Sequence, residues 1–404
     1  MGINKHNDPR LWQRQSISPL QFWVVFSSAS NLRVLFLPQN PDFLSSLLDF
    51  LRFSAAIAVF LGHTNFYWFF CGQVNGIGPQ NGQDYVIIFF VLSGFVISWS
   101  IDRKKDYHFN QYLFDRMVRL WSVALPALCL GVILDHFGRS IHPKTYVNIF
   151  SSDHLGLKYL ISGIFFHECW FFSIRPGSNG PLWSLSYEFF YYLIFGAITL
   201  LPSLKSKLLV GLAFCLLAGP KVLILFPCWL VGCLSYWGCK KLRPNGLISL
   251  VLLASSLYFL ISTLTPRWRL WTQTDFPGLG LPPLFYSAKY LDDFAIALAL
   301  GLLLLSLSRW FSLEIRPIGW LATLVRTCSK CSFSLYAIHF PLMAFLSALW
   351  AGGFLKNTSH LQATLLVFLC CCVFALLFEV PLKWYRSLII RTLPFLSLKC
   401  GIRS

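Results

Sequence analysis

The chain has 404 residues, 56% of them hydrophobic and 12% charged. A soluble protein of this length needs more charge to cover its surface, so a soluble fold is excluded, and apolar runs of about 18 to 23 residues indicate a polytopic membrane protein. The net charge of +17 invites a nucleic-acid reading, which fails once the charges are placed on a topology.

Residues 1–43 read as an N-terminal cytoplasmic or interfacial tail. Phe22-Trp-Val-Val-Phe26 is too short for a signal-peptide core, and Arg33 interrupts its continuation. Spans are predicted at about 48–70, 83–101, 113–137, 182–201, 208–219, 222–238, 246–264, 288–308, 331–351 and 360–380. This is an all-α bundle of about ten transmembrane helices, with 208–219 short for a crossing. With the N-terminus inside, 24 of the 33 Lys and Arg residues fall on the cytoplasmic side and nine outside, the positive-inside bias. Arg103-Lys104-Lys105, Lys240-Lys241-Leu242-Arg243 and the tail from Lys383 to Arg403 then orient the chain and contact anionic membrane lipids, and no nucleic acid is needed as a partner. Both termini, including a tail over 391–404, are expected in the cytoplasm.

The longest loop, 138–181, lies outside and holds Tyr159 to Phe172, whose fourteen residues suit a re-entrant or interfacial piece better than a crossing. It ends in a turn-rich lead, Arg175 to Pro181, and 265–287 is the second outer loop. The thirteen cysteines lie mostly in apolar runs, as small hydrophobes. Cys328-Ser-Lys-Cys331 has metal or redox spacing but no second pair to complete four ligands, so no metal is expected. Cys71 and Cys169 are a weak candidate for an outer disulfide.

Ionisable residues within spans usually face a cavity or a partner. In Asp49 to His63 (DFLRFSAAIAVFLGH), Arg52 and His63 are eleven residues apart, which on a helix places them on one face and about 16 Å apart along the axis. His63 is placed about two thirds of the way outward along the first helix. Arg116 and Arg119 sit one turn apart at the cytoplasmic mouth of the third helix; they suit phosphate recognition or serve as topology anchors. Ser184 and Glu188 are i,i+4 neighbours at the outer start of the fourth helix, and Glu188 is a terminal decoration or a functional carboxylate. Ser93 and Gly94 read as small residues for close packing. His339, before the expected kink at Pro341, is the rival membrane histidine and reads as structural.

Together DFLRFSAAIAVFLGH, FFVLSGFVIS, the RMVR pair, PLWSLSYEFFYYL, FSLYAIHFPL and the FEVPLKWYR ending at Arg386 resemble acyltransferase family 3, integral-membrane O-acyltransferases, over about residues 44–390. The family's arginine and histidine separated by ten residues fall on Arg52 and His63, its RxxR on Arg116 and Arg119, and its WSLSxE on Trp183 to Glu188. Phe189 and Phe190 stand where many members carry a second polar residue. Some relatives carry a C-terminal hydrolase-like domain. This sequence ends at Ser404, so transfer is expected to be completed by the membrane domain or by another protein.

The resemblance implies transfer of an acyl group, acetyl by expectation, from acyl-CoA to a hydroxyl of a surface polysaccharide, glycolipid or related acceptor, in the bacterial inner (plasma) membrane. It implies catalytic roles for His63 and Glu188, with Glu188 orienting the imidazole or holding the acceptor. Arg52, Arg116 and Arg119 bind the donor. Trp183, Ser184, Ser186 and His339 contact the acceptor or support the site. No cofactor is permanently bound, and acyl-CoA is a co-substrate. The competing classes are a carrier or flippase for a lipid-linked glycan, which should show matching halves, and a non-catalytic acyl-CoA-binding protein. No internal repeat is visible to favour the carrier.

Overall fold

The computed structural model describes residues 43–65, 69, 82–104, 106–147, 154–242, 244–264, 284–311 and 319–392. The tail ahead of Phe43, Cys71, residues 265–283 of the second outer loop and the C-terminal tail beyond Thr392 lie outside these. The regular structure of the described residues is helical throughout. In chain order the helices are α1 (Phe43–His63), α2 (Gly82–Arg103), α3 (Phe109–Ile141), α4 (Pro143–Val147), α5 (Leu155–Gly163), α6 (Trp183–Leu200) and α7 (Leu204–Ala218). They continue with α8 (Pro220–Lys241), α9 (Gly246–Leu264), α10 (Tyr290–Phe311), α11 (Gly319–Ser329), α12 (Ser332–Ala351), α13 (His360–Phe378) and α14 (Leu382–Thr392).

Each of the ten predicted spans overlaps a helix, but among the described residues seven stretches are long and apolar enough to cross a membrane. These are α1, α2, α3, α8, α10 over Tyr290–Ser308, α12, and the stretch from His360 to Arg391. Helix α7 has 15 residues and rises about 22 Å; α6 spends part of its 18 residues on Ser184, Ser186 and Glu188. The first predicted span was set too late. Helix α1 begins at Phe43 and ends at His63, where Thr64 N–H and Asn65 N–H donate to the Leu61 and Gly62 carbonyls and Thr64 Oγ1 caps Leu61 as well. His63 therefore closes the helix rather than standing two thirds along it. Helix α3 runs on to Ile141, and its 33 residues, about 50 Å, exceed a hydrocarbon core. Pro341 lies inside α12, which continues through it.

Local chemistry sets several boundaries. Capping boxes of Ser203 with Ser206 and of Ser359 with Gln362 start α7 and α13. Gly219, at φ +79°, turns α7 into α8, and Pro220 begins the new helix. A side chain at Gly219 would collide with the Trp170 backbone.

Helix α2 packs on α8, α8 on α10, and α12 on α3, α1 and α13. The outer faces of α7, α9 and α13 expose leucines such as Leu208, Leu212, Leu250, Leu365 and Leu369, a surface that matches hydrocarbon. The α2–α8 crossing rests on two glycines. A Cβ at Gly94 would run into the Trp229 carbonyl oxygen, and one at Gly232 into that of Val91. Small residues on both helices let the backbones touch.

The expected re-entrant stretch divides at Gly163. Its first part ends α5, and the rest is irregular backbone pinned to the bundle. The buried Lys221 ammonium meets Glu168 Oε2 at 2.5 Å and also donates to the Phe172 carbonyl, while Ser173 Oγ donates to Glu168 Oε1 at 2.7 Å. Nearer α6, Asp135 accepts from the Ser178 amide at 2.8 Å and from Tyr159 at 3.0 Å. Cys169 donates its thiol to the Phe166 carbonyl.

Gly94→Ala and Gly232→Ala should each lower thermal stability in detergent by about 1–3 kcal/mol, the usual penalty of overpacking. Gly238→Ala should be neutral or stabilising, since its Cβ would meet only Leu305 at an ordinary 3.6 Å. Equal melting temperatures for all three variants would remove the glycine contact as the basis of the crossing.

Candidate active site

Helices α2, α3, α6 and α12, with contributions from α1 and α14, enclose a cavity of about 410 Å³. Four arginines line it: Arg52 from α1, Arg116 and Arg119 from α3, and Arg386 from α14. The carboxylates in its wall are Asp115 and Glu188. Along α2 the lining runs from Phe89 through Ser93 and Ile97 to Ser100, about 16 Å of helix axis. On α6 it follows the i,i+4 stripe Ser184, Glu188, Tyr192.

The arginine end is arranged by carboxylates around its rim. Asp49 lies 3.9 Å from Arg52 and accepts from Ser329. Asp115 takes Arg386 at 3.0 Å, Lys104 at 3.0 Å and the Tyr107 hydroxyl at 2.8 Å. Glu379 caps α12 by accepting from the Phe333 and Ser334 amides at 3.2 and 2.7 Å. The Nε atoms of Arg116 and Arg386 are buried and meet no hydrogen-bond partner among the described residues. Donors of this kind, held in a forked geometry around one cavity, fit an anionic ligand with several oxygens.

Glu188 sits further along the same cavity. Its Oε1 accepts from Ser93 Oγ at 2.5 Å and from the Tyr192 hydroxyl, and Trp229 Nε1 donates to Ser93 at 3.2 Å. Oε2 accepts no hydrogen bond from the described residues. Ser93 is therefore a carboxylate partner, where its sequence context suggested packing alone; Gly94 beside it is the packing residue.

His63 and His339 come together outside the cavity wall, Nδ1 of His63 lying 2.7 Å from Nε2 of His339. The Nδ1 of His339 lies 2.7 Å from the Leu335 carbonyl oxygen. The ring beside His63 is that of His339. Tyr336 adjoins both regions, since it lines the cavity and its ring centroid is 6.4 Å from that of His339. Its hydroxyl donates to the Pro181 carbonyl and meets Ser184 Oγ at 2.7 Å.

The WSLSxE stretch divides by helix face. Ser184 and Glu188 face the cavity, whereas Trp183 stacks on Tyr286 with centroids 4.3 Å apart, and Ser186 donates to the Phe165 carbonyl and accepts from the Glu168 amide. Trp183 and Ser186 thus brace the segments that carry Tyr286, Phe165 and Glu168 and do not line the cavity. Sequence reasoning passed over Ser93, Asp115, Tyr192, Tyr336 and Arg386 as site residues. Tyr192 continues the Ser184–Glu188 stripe by one more turn, and Arg386 ends one of the stretches that carried the resemblance, so both had a signal.

Residues 46–384 match the family described as an acyltransferase domain. The acyltransferase MdmB of Streptomyces mycarofaciens is 32% identical over 152 residues, 36% of this chain and 36% of that protein. An O-acetyl transferase of Shigella phage Sf6 is 29% identical over 184 residues, 42% of this chain and 51% of that protein. The chain thus spans from about a third to about half the length of the curated relatives it matches. No solved structure matches it significantly. With the family match covering most of the chain, from the start of α1 to the C-terminal arginine helix, the protein belongs to acyltransferase family 3.

Proposed function

We propose that the protein is a membrane O-acyltransferase that moves an acyl group, acetyl in our reading, from acyl-CoA to a hydroxyl of a surface polysaccharide, glycolipid or related acceptor. The observation that carries this reading is the single cavity in which Arg52, Arg116, Arg119 and Arg386 share one end while Ser184 and Glu188 lie toward the other. A coenzyme A thioester has that polarity: phosphates at one end, a long flexible arm, and a reactive carbonyl at the other. The printed name of the phage relative, an O-acetyl transferase, supports acetyl as the group.

In this reading the guanidinium groups hold the donor phosphates by paired N–H···O bonds. The acceptor oxygen attacks the thioester carbonyl carbon as His63 takes the hydroxyl proton, a task that suits an imidazole. The carbon–sulfur bond breaks, the imidazolium returns its proton to the thiolate, and the products are an ester and free coenzyme A. Glu188 offers Oε2 to an N–H or O–H of a bound substrate. Positive-inside placement puts the arginines at the cytoplasmic face and His63 toward the outer face of the bacterial inner membrane.

His63→Ala and His63→Gln should leave a folded, membrane-inserted protein whose transfer falls by about 10²–10⁴-fold, the usual contribution of a general base. Product formed from labelled acetyl-CoA, at matched detergent-extracted yield, checks this; retained turnover would remove His63 as the base. Arg116→Ala and Arg119→Ala should raise the donor KM and weaken binding of a non-hydrolysable acyl-CoA, with lysine rescuing only in part because it lacks the fork. Unchanged binding in the double alanine variant would reduce the pair to topology signals.

A further inference from the structure

The two histidines form a hydrogen-bonded chain whose direction is fixed at one end. The Leu335 carbonyl oxygen only accepts, so Nδ1 of His339, 2.7 Å away, carries the proton. A neutral His339 then has its lone pair on Nε2, and the atom 2.7 Å from it, Nδ1 of His63, must be the donor. That assigns the lone pair of a neutral His63 to Nε2.

The rings are placed for this bond. Their centroids are 4.9 Å apart, close to the N···N distance plus the two ring radii, so atoms and centroids are nearly collinear and the rings, 22° apart, meet edge to edge. Phe60 stands edge-on to His339 at 6.0 Å, and Phe340 edge-on to His63 at 4.9 Å. His339 itself is fully buried on α12, the helix whose first amides are capped by Glu379. On the far side of His63, Nε2 looks toward Gly82, where an added Cβ would stand 3.5 Å away.

We propose that His339 is a positioning residue: through its bond to His63 Nδ1 it fixes the tautomer and ring orientation that present Nε2 of His63 to the acceptor hydroxyl. This rests on the reading of His63 as the base. The chain ends on a carbonyl oxygen, which cannot take a proton, so His339 does not carry the proton away. It holds the neutral ring before transfer, and it accepts a charge-assisted bond from the imidazolium after transfer.

The test compares His339→Met, which has no strong acceptor, with His339→Gln, which keeps an amide oxygen in reach of His63 Nδ1; His339→Ala replaces the Met variant if that does not fold. Turnover is measured with labelled acetyl-CoA, alongside binding of a non-hydrolysable acyl-CoA. The Met variant should lose about 10²-fold in kcat, the lower end of what a positioned base contributes, with donor KM and donor binding unchanged. The Gln variant should recover most of that loss. In a His63→Gln background the Met substitution should change nothing further, because two residues acting as one unit are not additive. Wild-type kcat in the Met variant, a Gln variant as impaired as Met, or losses that multiply in the double variant would each overturn the proposal while leaving His63 as the base. An active His63→Gln enzyme would instead overturn that underlying reading, and the positioning role with it.

Discussion

Placing an ionisable side chain within an apolar bundle is expensive unless a partner or a cavity receives it, and this requirement organises the whole molecule. Several of the charges near the cavity are answered by a partner. Asp49 stands by Arg52, Asp115 by Arg386, and Ser93 with Tyr192 holds one oxygen of Glu188. Where the partners come from different helices, satisfying them fixes how those helices sit. Asp115 on α3 ties down α14 through Arg386, and Glu379, following α13, seats the N-terminus of α12. The helix so seated carries Tyr336 into the cavity wall and His339 beyond it.

Two further devices keep the polar elements in register. The glycine contact between α2 and α8 brings Ser93 within reach of both Glu188 and Trp229, since any side chain at Gly94 or Gly232 would force the helices apart. The buried Lys221–Glu168 pair fastens the irregular segment after α5 onto the start of α8, and Ser186 fastens it to α6. Removing one partner of such a pair leaves an unpaired buried charge, which typically costs about 3–5 kcal/mol. The segment between α5 and α6 is therefore part of the scaffold, and it supplies the Pro181 carbonyl that receives the Tyr336 hydroxyl.

Much of this was legible in the sequence because hydrophobic runs and helical periodicity are local. The predicted spans overlap helices over their described residues, and Arg52, Arg116, Arg119, Ser184 and Glu188 line one cavity. Periodicity also carried information left unread. Ser184, Glu188 and Tyr192 form one stripe, while Trp183 and Ser186 point elsewhere, so helical spacing alone is enough to divide the WSLSxE stretch by face. The pairing of His63 with His339 could not be read this way, for 276 residues separate them and no local pattern joins α1 to α12. The end of α1 at His63 was equally hidden: apolar residues continue beyond it, and the stop comes from turn bonds to Leu61 and Gly62.

In the proposed function the arginines face the cytoplasm and His63 the opposite side, so donor and acceptor should approach from opposite faces with only the acyl group passing between them. Sealed proteoliposomes of known orientation, with radiolabelled acetyl-CoA on the side of the arginines and acceptor on the other, test it directly. Acylated acceptor should form on the far side, with free coenzyme A retained on the donor side. Product formed only when both substrates share the arginine side would contradict the through-membrane geometry, and intact donor or acceptor crossing without transfer would mark a carrier.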